Sequence, residues 1–369
     1  MNDTVLRAHG DVTAAFLTEV LRDRGWIGDA AVLEAPADTI GAGLMGICAR
    51  YHLRLDREVP GAPRSVVGKF AAQDATAREF MASSGYRNEL CFYQHFAARV
   101  SIHAPRCAYA AIDDDGWFTL ILEDCAPMEP GDQLRGCTID QVRAAVRELV
   151  GLHAPLWDAA ELGTHPCFAQ RGNVEPDLLI AGLQQVVPGF VGRYGSAFAP
   201  DEVAFYGRFG RSAGNWFAAR PAERTLVHSD FRPDNLLFSR PGAESAVAVV
   251  DWQGFMRGCA MSDVSFLIGN ALEPPVRAAH EEQLVGMYHA ELVAAGVSSY
   301  SFDECWDDYS GSLLSALLTT IFGAMYGVRT ERGDRMFELM GARHARQILD
   351  LGADRFLDAS PALDAASGQ

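Results

Sequence analysis

One stretch limits what this chain can fold into more than any other. It is Leu226 to Phe238, LVHSDFRPDNLLF, followed by a short polar turn and the run AVAVVD that ends at Asp251. A brief apolar strand over Thr225–Val227 delivers His228, Asp230, Arg232 and Asn235 onto a loop. A second strand, Asn235 to Phe238, leads out of that loop, and the Pro, Gly and polar residues from Ser239 to Glu244 suit a hairpin turn. The apolar run Ala246 to Val250 then ends on a carboxylate. Two strand ends therefore carry two carboxylates and one amide to the same place. The plain structural reading is a polar loop between ordinary strands, with Asp234-Asn235 as turn residues.

The chemical reading is more specific. Transfer of a phosphoryl group uses one Asp to orient a hydroxyl and accept its proton, and an Asn with a second Asp to hold magnesium. The order H-x-D-x-x-x-x-N followed by a strand-terminal Asp resembles the catalytic and metal-binding segments of protein kinases. It resembles more closely the aminoglycoside phosphotransferase and choline kinase superfamily.

The 369 residues suit two domains or one large one, and a composition 49% hydrophobic and 21% charged is ordinary for a soluble globular protein. Met1 to Val12 is polar and carries no secretory signal. The longest apolar run, Leu313 to Val328, holds Ser315, Thr319 and Thr320; it is short for a membrane span and predicts a buried helix. Eight Cys without a C-x-x-C pair predict reduced thiols in a cytoplasmic protein rather than disulfides or zinc. A net charge of −17 argues against nucleic acid and anionic membrane as partners. The acid excess lies mostly after residue 123; a cationic ligand in that half and a solvated acidic surface both account for it.

Lysine usage is sharper. Of 31 basic residues, Lys69 is the single Lys. It closes an apolar strand-like run, Ser65 to Gly68, where a solvated Lys is unexpected, so an ammonium point charge is expected to serve a purpose there. Upstream lies Gly41-Ala42-Gly43-Leu44-Met45-Gly46, a literal G-x-G-x-x-G. A dinucleotide-binding fold needs a helix opening at the third Gly. Here Ile47, Ala49, Tyr51, Leu53 and Leu55 alternate with polar or small residues, the period of a half-buried strand. Strand, glycine turn, strand is the geometry of a nucleotide-covering flap, and the dehydrogenase reading falls.

A mainly helical segment, 75–100, breaks near Ser83-Ser84-Gly85 and offers Glu89 and, less favourably, Glu79 as partners for Lys69. Strands over 106–112 and 117–122 form a hairpin, and Glu123-Asp124-Cys125 opens a connector read as a hinge. Beyond it the pattern is helical: 139–157, 175–194, 200–219, 263–269, 275–295, 302–326 and 332–356. The whole predicts an α+β, bilobal, protein-kinase-like fold. A small antiparallel β-rich lobe spans 1–123 and a larger, mainly helical lobe spans 124–369.

The resemblance implies roles residue by residue. Asp230 matches the Asp that takes the hydroxyl proton, Asn235 and Asp251 match the magnesium ligands, and Lys69 with Glu89 matches the phosphate-binding pair. Gly41, Gly43 and Gly46 match the flap, and backbone groups at Glu123 and Cys125 would hold the base of ATP. His228 buttresses the loop, Arg232 is placed either on the transferred phosphate or at the surface, and Asp263 resembles a loop-bracing Asp. Two departures stand out. Ser229 replaces a usual Gly between His and Asp, and Asp251-Trp252-Gln253 ends in Gln where an acidic residue is commoner. That ending looks more like the ecdysteroid-kinase-like branch, whose substrates are bulky, apolar alcohols; Phe231, Trp306, Phe322, Met325 and Tyr326 are candidate wall residues. The expected function is an ATP- and magnesium-dependent O-phosphotransferase acting on a small-molecule hydroxyl. An aminoglycoside-type antibiotic kinase and a nucleotide-binding pseudokinase are the alternatives.

Overall fold

The computed structural model describes residues 4–40, 46–83, 85–169, 176–240 and 246–358. The chain divides into two compact units, Met1–Glu129 with Ala248–Phe255, and Pro130–Val247 with Met256–Gln369.

The first unit is built on a five-stranded antiparallel sheet in the order Ala37–Ile40, Gly46–His52, Ser65–Ala71, Phe118–Glu123, Cys107–Ile112. Alternation along Ser65–Ala71 divides its side chains between two faces. Val66 and Phe70 join Tyr51, Tyr109 and Ile121 in a core closed by Leu17 and Leu21 of the Ala14–Asp23 helix. That helix starts at Thr13, whose hydroxyl accepts the Phe16 amide at 3.1 Å. Ala71, Leu120 and Leu122 meet Met81, Tyr86 and Leu90 in a second core. Lys69 shares the parity of Ala71, so its side chain projects towards the helices Ala75–Ser83 and Gly85–Cys91. The break between those helices falls where the sequence places it.

The second unit is mainly helical, with Ile139–His153, Pro176–Tyr194, Pro200–Ala218, Ala260–Ala271, Pro274–Ala294, Phe302–Ser312, Ser315–Tyr326 and Glu331–Asp350. The expected single helix over 302–326 is two helices. The Ser315 hydroxyl donates to the Ser312 carbonyl at the junction, a local bond that competes with the helical ladder. The last helix stops at Asp350, ahead of Gly352 at φ +59°. The Leu313–Val328 run is buried on one face only: Leu317, Thr320, Ile321 and Ala324 are inside, while Tyr326 and Val328 are exposed. Among the described residues no helix is long and apolar enough to cross a membrane.

Thr225–Val227 pairs with Met256–Gly258, a short strand the sequence pattern did not reveal. The reading of eight reduced thiols is corrected. Cys48, Cys107, Cys125, Cys137, Cys259 and Cys305 are free, but Cys91 and Cys167 are disulfide-bonded, and a disulfide leaves no local spacing signature.

Candidate active site

In the first unit Lys69 meets two carboxylates. Its Nζ donates to Glu89 Oε2 at 2.6 Å and to Asp251 Oδ1 at 2.8 Å. The Lys69 side chain is 12% exposed and that of Glu89 only 1%. Burial opposes the ammonium charge, but Asp251 and Glu89 outweigh it and hold Lys69 well above its usual pKa range. Burial raises the Glu89 carboxyl, against the pull of Lys69. Glu79 is exposed on the preceding helix, so Glu89 is the partner. Asp251 itself sits in the left-handed region at φ +67°. The next two residues anchor it there: the Trp252 ring stacks on Phe92 at 3.5 Å with 5° between planes, and Asn88 donates to the Gln253 carbonyl at 2.8 Å. Strand, helix and the turn after Val247–Val249 thus fix one ammonium between two carboxylates.

The second unit carries the loop. Asp263, fully buried near the start of Ala260–Ala271, accepts the His228 amide at 2.7 Å and the Ser229 amide at 2.8 Å. His228 is buried, with its ring edge-on to Phe231, and its Nδ1 accepts the Asp230 amide at 3.3 Å. Ser229 adopts φ +66°, the conformation that Gly takes without cost, which explains why Gly suits that position. Asn235 Nδ2 donates to the Asp230 carbonyl at 2.9 Å and to its Oδ2 at 2.8 Å. Arg232 is not a surface residue: its Nε lies 3.1 and 3.2 Å from the two Asp230 oxygens. His153 is a buried packing residue, as expected, bonded through Nδ1 to the Tyr288 hydroxyl at 2.8 Å.

Of the flap, Gly41 and Gly43 lie outside the described residues. Gly46 is described, and a Cβ there would fall 2.7 Å from the Phe70 carbonyl oxygen, so the close strand approach admits only Gly. At the connector the Glu123 side chain is taken up by Arg106, through bonds of 3.0 and 3.1 Å. Cys125 is half-buried, its thiol pushed up to about 11 by burial. The side chain of Asp124, between them, has a structural task of its own. It accepts from Arg50 at 2.7 Å and Ser65 at 2.6 Å, which ties the connector to two strands. Phe231 is core and not wall, while Phe322 and Met325 are half-buried and Tyr326 is exposed. A cavity of about 730 Å³ between Pro176–Tyr194 and Pro200–Ala218, lined by Val187, Val191, Val203 and Arg211 among others, contains none of the predicted site residues.

A family model described as the phosphotransferase enzyme family matches residues 64–297, more than half of the chain. The chain belongs to the phosphotransferase enzyme family. The match spans Lys69, the loop and Asp251, and it makes the protein an enzyme of the phosphotransferase class. No curated protein matches in sequence. Among solved structures, an ethanolamine kinase of Plasmodium vivax is 10% identical with a TM-score of 0.53, covering 89% of this chain and 87% of that one. A choline kinase from Cryptosporidium parvum Iowa II is 11% identical with a TM-score of 0.52, covering 86% of this chain and 91% of that one. At these identities the likeness is one of fold, and it assigns this phosphotransferase to the α+β, kinase-like fold class.

Proposed function

We propose that this phosphotransferase moves the γ-phosphoryl group of ATP, with magnesium, to a hydroxyl of a small organic molecule. The observation that carries the reading is the buried Lys69 ammonium held by Glu89 at 2.6 Å and Asp251 at 2.8 Å. A cation fixed at that depth by two carboxylates has little structural reason in a strand that otherwise buries Val66 and Phe70, and it suits the phosphates of a nucleotide. Backbone groups at Glu123 and Cys125 would hold the base, with Gly41, Gly43 and Gly46 covering the phosphates.

The donor types suit magnesium: the Asp251 carboxylate of the first unit and the Asn235 side-chain amide of the second would each offer the hard oxygen that this ion prefers. When bound, the ion would neutralise charge on the phosphate oxygens. The chain's own residues do the rest. Lys69 binds and orients phosphate, and Arg232 and Asn235 orient the Asp230 carboxylate. Asp230 takes the proton of the acceptor hydroxyl as its oxygen bonds to the γ-phosphorus and the bond to the departing ADP breaks.

The acceptor we infer is a bulky, apolar alcohol. Support comes from the outer surface of Ser315–Tyr326 and its neighbour Pro176–Tyr194 in the unit that holds Asp230. Tyr326 is 64% exposed, Val328 57% and Leu178 68%, beside half-buried Phe322 and Met325. The test is product analysis with Mg-ATP and a panel of sterols, macrolide-like alcohols and aminoglycosides. A phosphorylated alcohol is expected, with turnover nearly abolished in Asp230→Ala while nucleotide binding persists. Full turnover in Asp230→Ala would refute the role of that carboxylate, and phosphorylation of aminoglycosides alone would refute the acceptor class.

A further inference from the structure

A chain of charged hydrogen bonds leads away from Asp230 within the helical unit, and its outer members carried no signal in the sequence. Arg232 holds both Asp230 oxygens through Nε, and its Nη1 donates to Asp234 Oδ2 at 2.8 Å. Asp234 in turn accepts a fork from Arg332: Nη1 reaches Oδ2 at 2.9 Å and Nη2 reaches Oδ1 at 2.8 Å. The Gln133 amide donates to Asp234 Oδ1 at 2.8 Å, and Arg332 Nη2 also lies 3.3 Å from Asp132 Oδ1. Three segments therefore meet on one carboxylate: residues 131–136, the loop, and the first turn of Glu331–Asp350.

Their approach is close. A Cβ on Gly131 would fall 2.4 Å from the Pro233 carbonyl oxygen. A guanidinium is planar and rigid, so fixing Nη1 on Asp234 fixes where Nε points. Arg332 grips both Asp234 oxygens, Asp234 fixes the Arg232 plane, and that plane sets the direction of the Asp230 carboxylate.

We propose that Arg332 is a positioning residue of the transfer reaction, acting on Asp230 through Asp234 and Arg232. The inference rests on the reading of Asp230 as the group that takes the acceptor proton. A positioned carboxylate accelerates proton transfer only when it lies within hydrogen-bond reach in the correct direction, and small misplacements lower kcat far more than binding. Arg332 is half-exposed, and a pair at such a site contributes little to global stability, so the relay can be cut without unfolding the chain.

The experiment measures steady-state ADP release from Mg-ATP, with water or the panel alcohol as acceptor, in Arg332→Ala, Arg332→Lys, Asp234→Asn and Arg332→Ala/Asp234→Asn. We expect kcat to fall about tenfold or more in Arg332→Ala, with KM for Mg-ATP within about twofold of wild type. Arg332→Lys should recover part of the loss, since an ammonium pairs with Asp234 but cannot grip both oxygens. The double variant should lose no more than the worse single one, because both cut the same relay. Arg332→Lys and Asp234→Asn supply the same readouts should Arg332→Ala not fold. Wild-type kcat in Arg332→Ala, or a loss that merely tracks the folded fraction, overturns the inference. Asp230→Ala separates the two levels of the argument. If it is inactive while Arg332→Ala is unimpaired, only the relay is wrong; if it turns over normally, or if wild type does not turn over at all, the reading beneath the inference fails.

Discussion

Replacing Glu89 by Gln removes one of the two carboxylates that hold Lys69, and the structure sets the size of the effect. The pair spans 2.6 Å, and both partners are withdrawn from water. Removing one partner of a buried pair costs about 3–5 kcal/mol, chiefly because the other charge is left without compensation. Here Asp251 remains on Nζ at 2.8 Å and the Gln amide oxygen still accepts a hydrogen bond, so a loss of about 2 kcal/mol is expected. Lys69 then turns towards Asp251 alone, and Mg-ATP should bind about tenfold more weakly, equivalent to about 1.4 kcal/mol. Glu79→Gln is the internal control: that side chain is exposed, and the change should stay within about 0.5 kcal/mol. Urea unfolding and nucleotide titration on the three proteins measure both effects. A Glu89→Gln protein as stable as wild type and binding Mg-ATP equally well would refute the reasoning.

Two further changes test the loop and the helical core. Ser229 stands at φ +66° between His228 and Asp230, with its amide on Asp263, so Ser229→Gly should raise stability by about 0.5–1 kcal/mol in urea unfolding without loss of turnover; destabilisation would contradict the strain. His344 is buried and stacked on Phe266, and burial, helped by nearby Arg343 and Arg277, lowers its pKa to about 3 from an ordinary 6.5. The unfolded chain therefore takes the proton first. Stability should be full above about pH 6.5 and decline as the pH falls towards 3, by a few kcal/mol in all. His344→Phe should flatten that slope, and an unchanged slope would show that other groups control it.

Much of the first unit was legible because its signals are local. Alternation from Ser65 to Ala71, one Lys in the chain, and a glycine-broken helix with Glu89 one turn before Phe92 and Tyr93 are patterns within short windows. The loop was legible for the same reason, and Asp263 declared itself through a short helix start. What escaped depends on partners far along the chain. Arg332 reaches an Asp that reads as turn chemistry almost a hundred residues earlier, and the Trp252–Phe92 stack that supports Asp251 has no periodic trace. Met256–Gly258 is too short to show alternation. The two helices within 302–326 look continuous because the apolar pattern runs through the junction, and Gly311, Ser312 and Ser315 beside it are weak breakers in a sequence. Cys91 and Cys167 read as thiols in the sequence because a disulfide leaves no trace in local spacing.

The most direct test of the central claim is unfolding with and without ATP, with and without magnesium, on wild type and Asp251→Ala. Ligand at a hundred times its Kd stabilises the folded state by about 2.7 kcal/mol. The account predicts that shift for wild type only when ATP and magnesium are both present, and its loss in Asp251→Ala. No shift with any nucleotide, or an equal shift in Asp251→Ala, would contradict it.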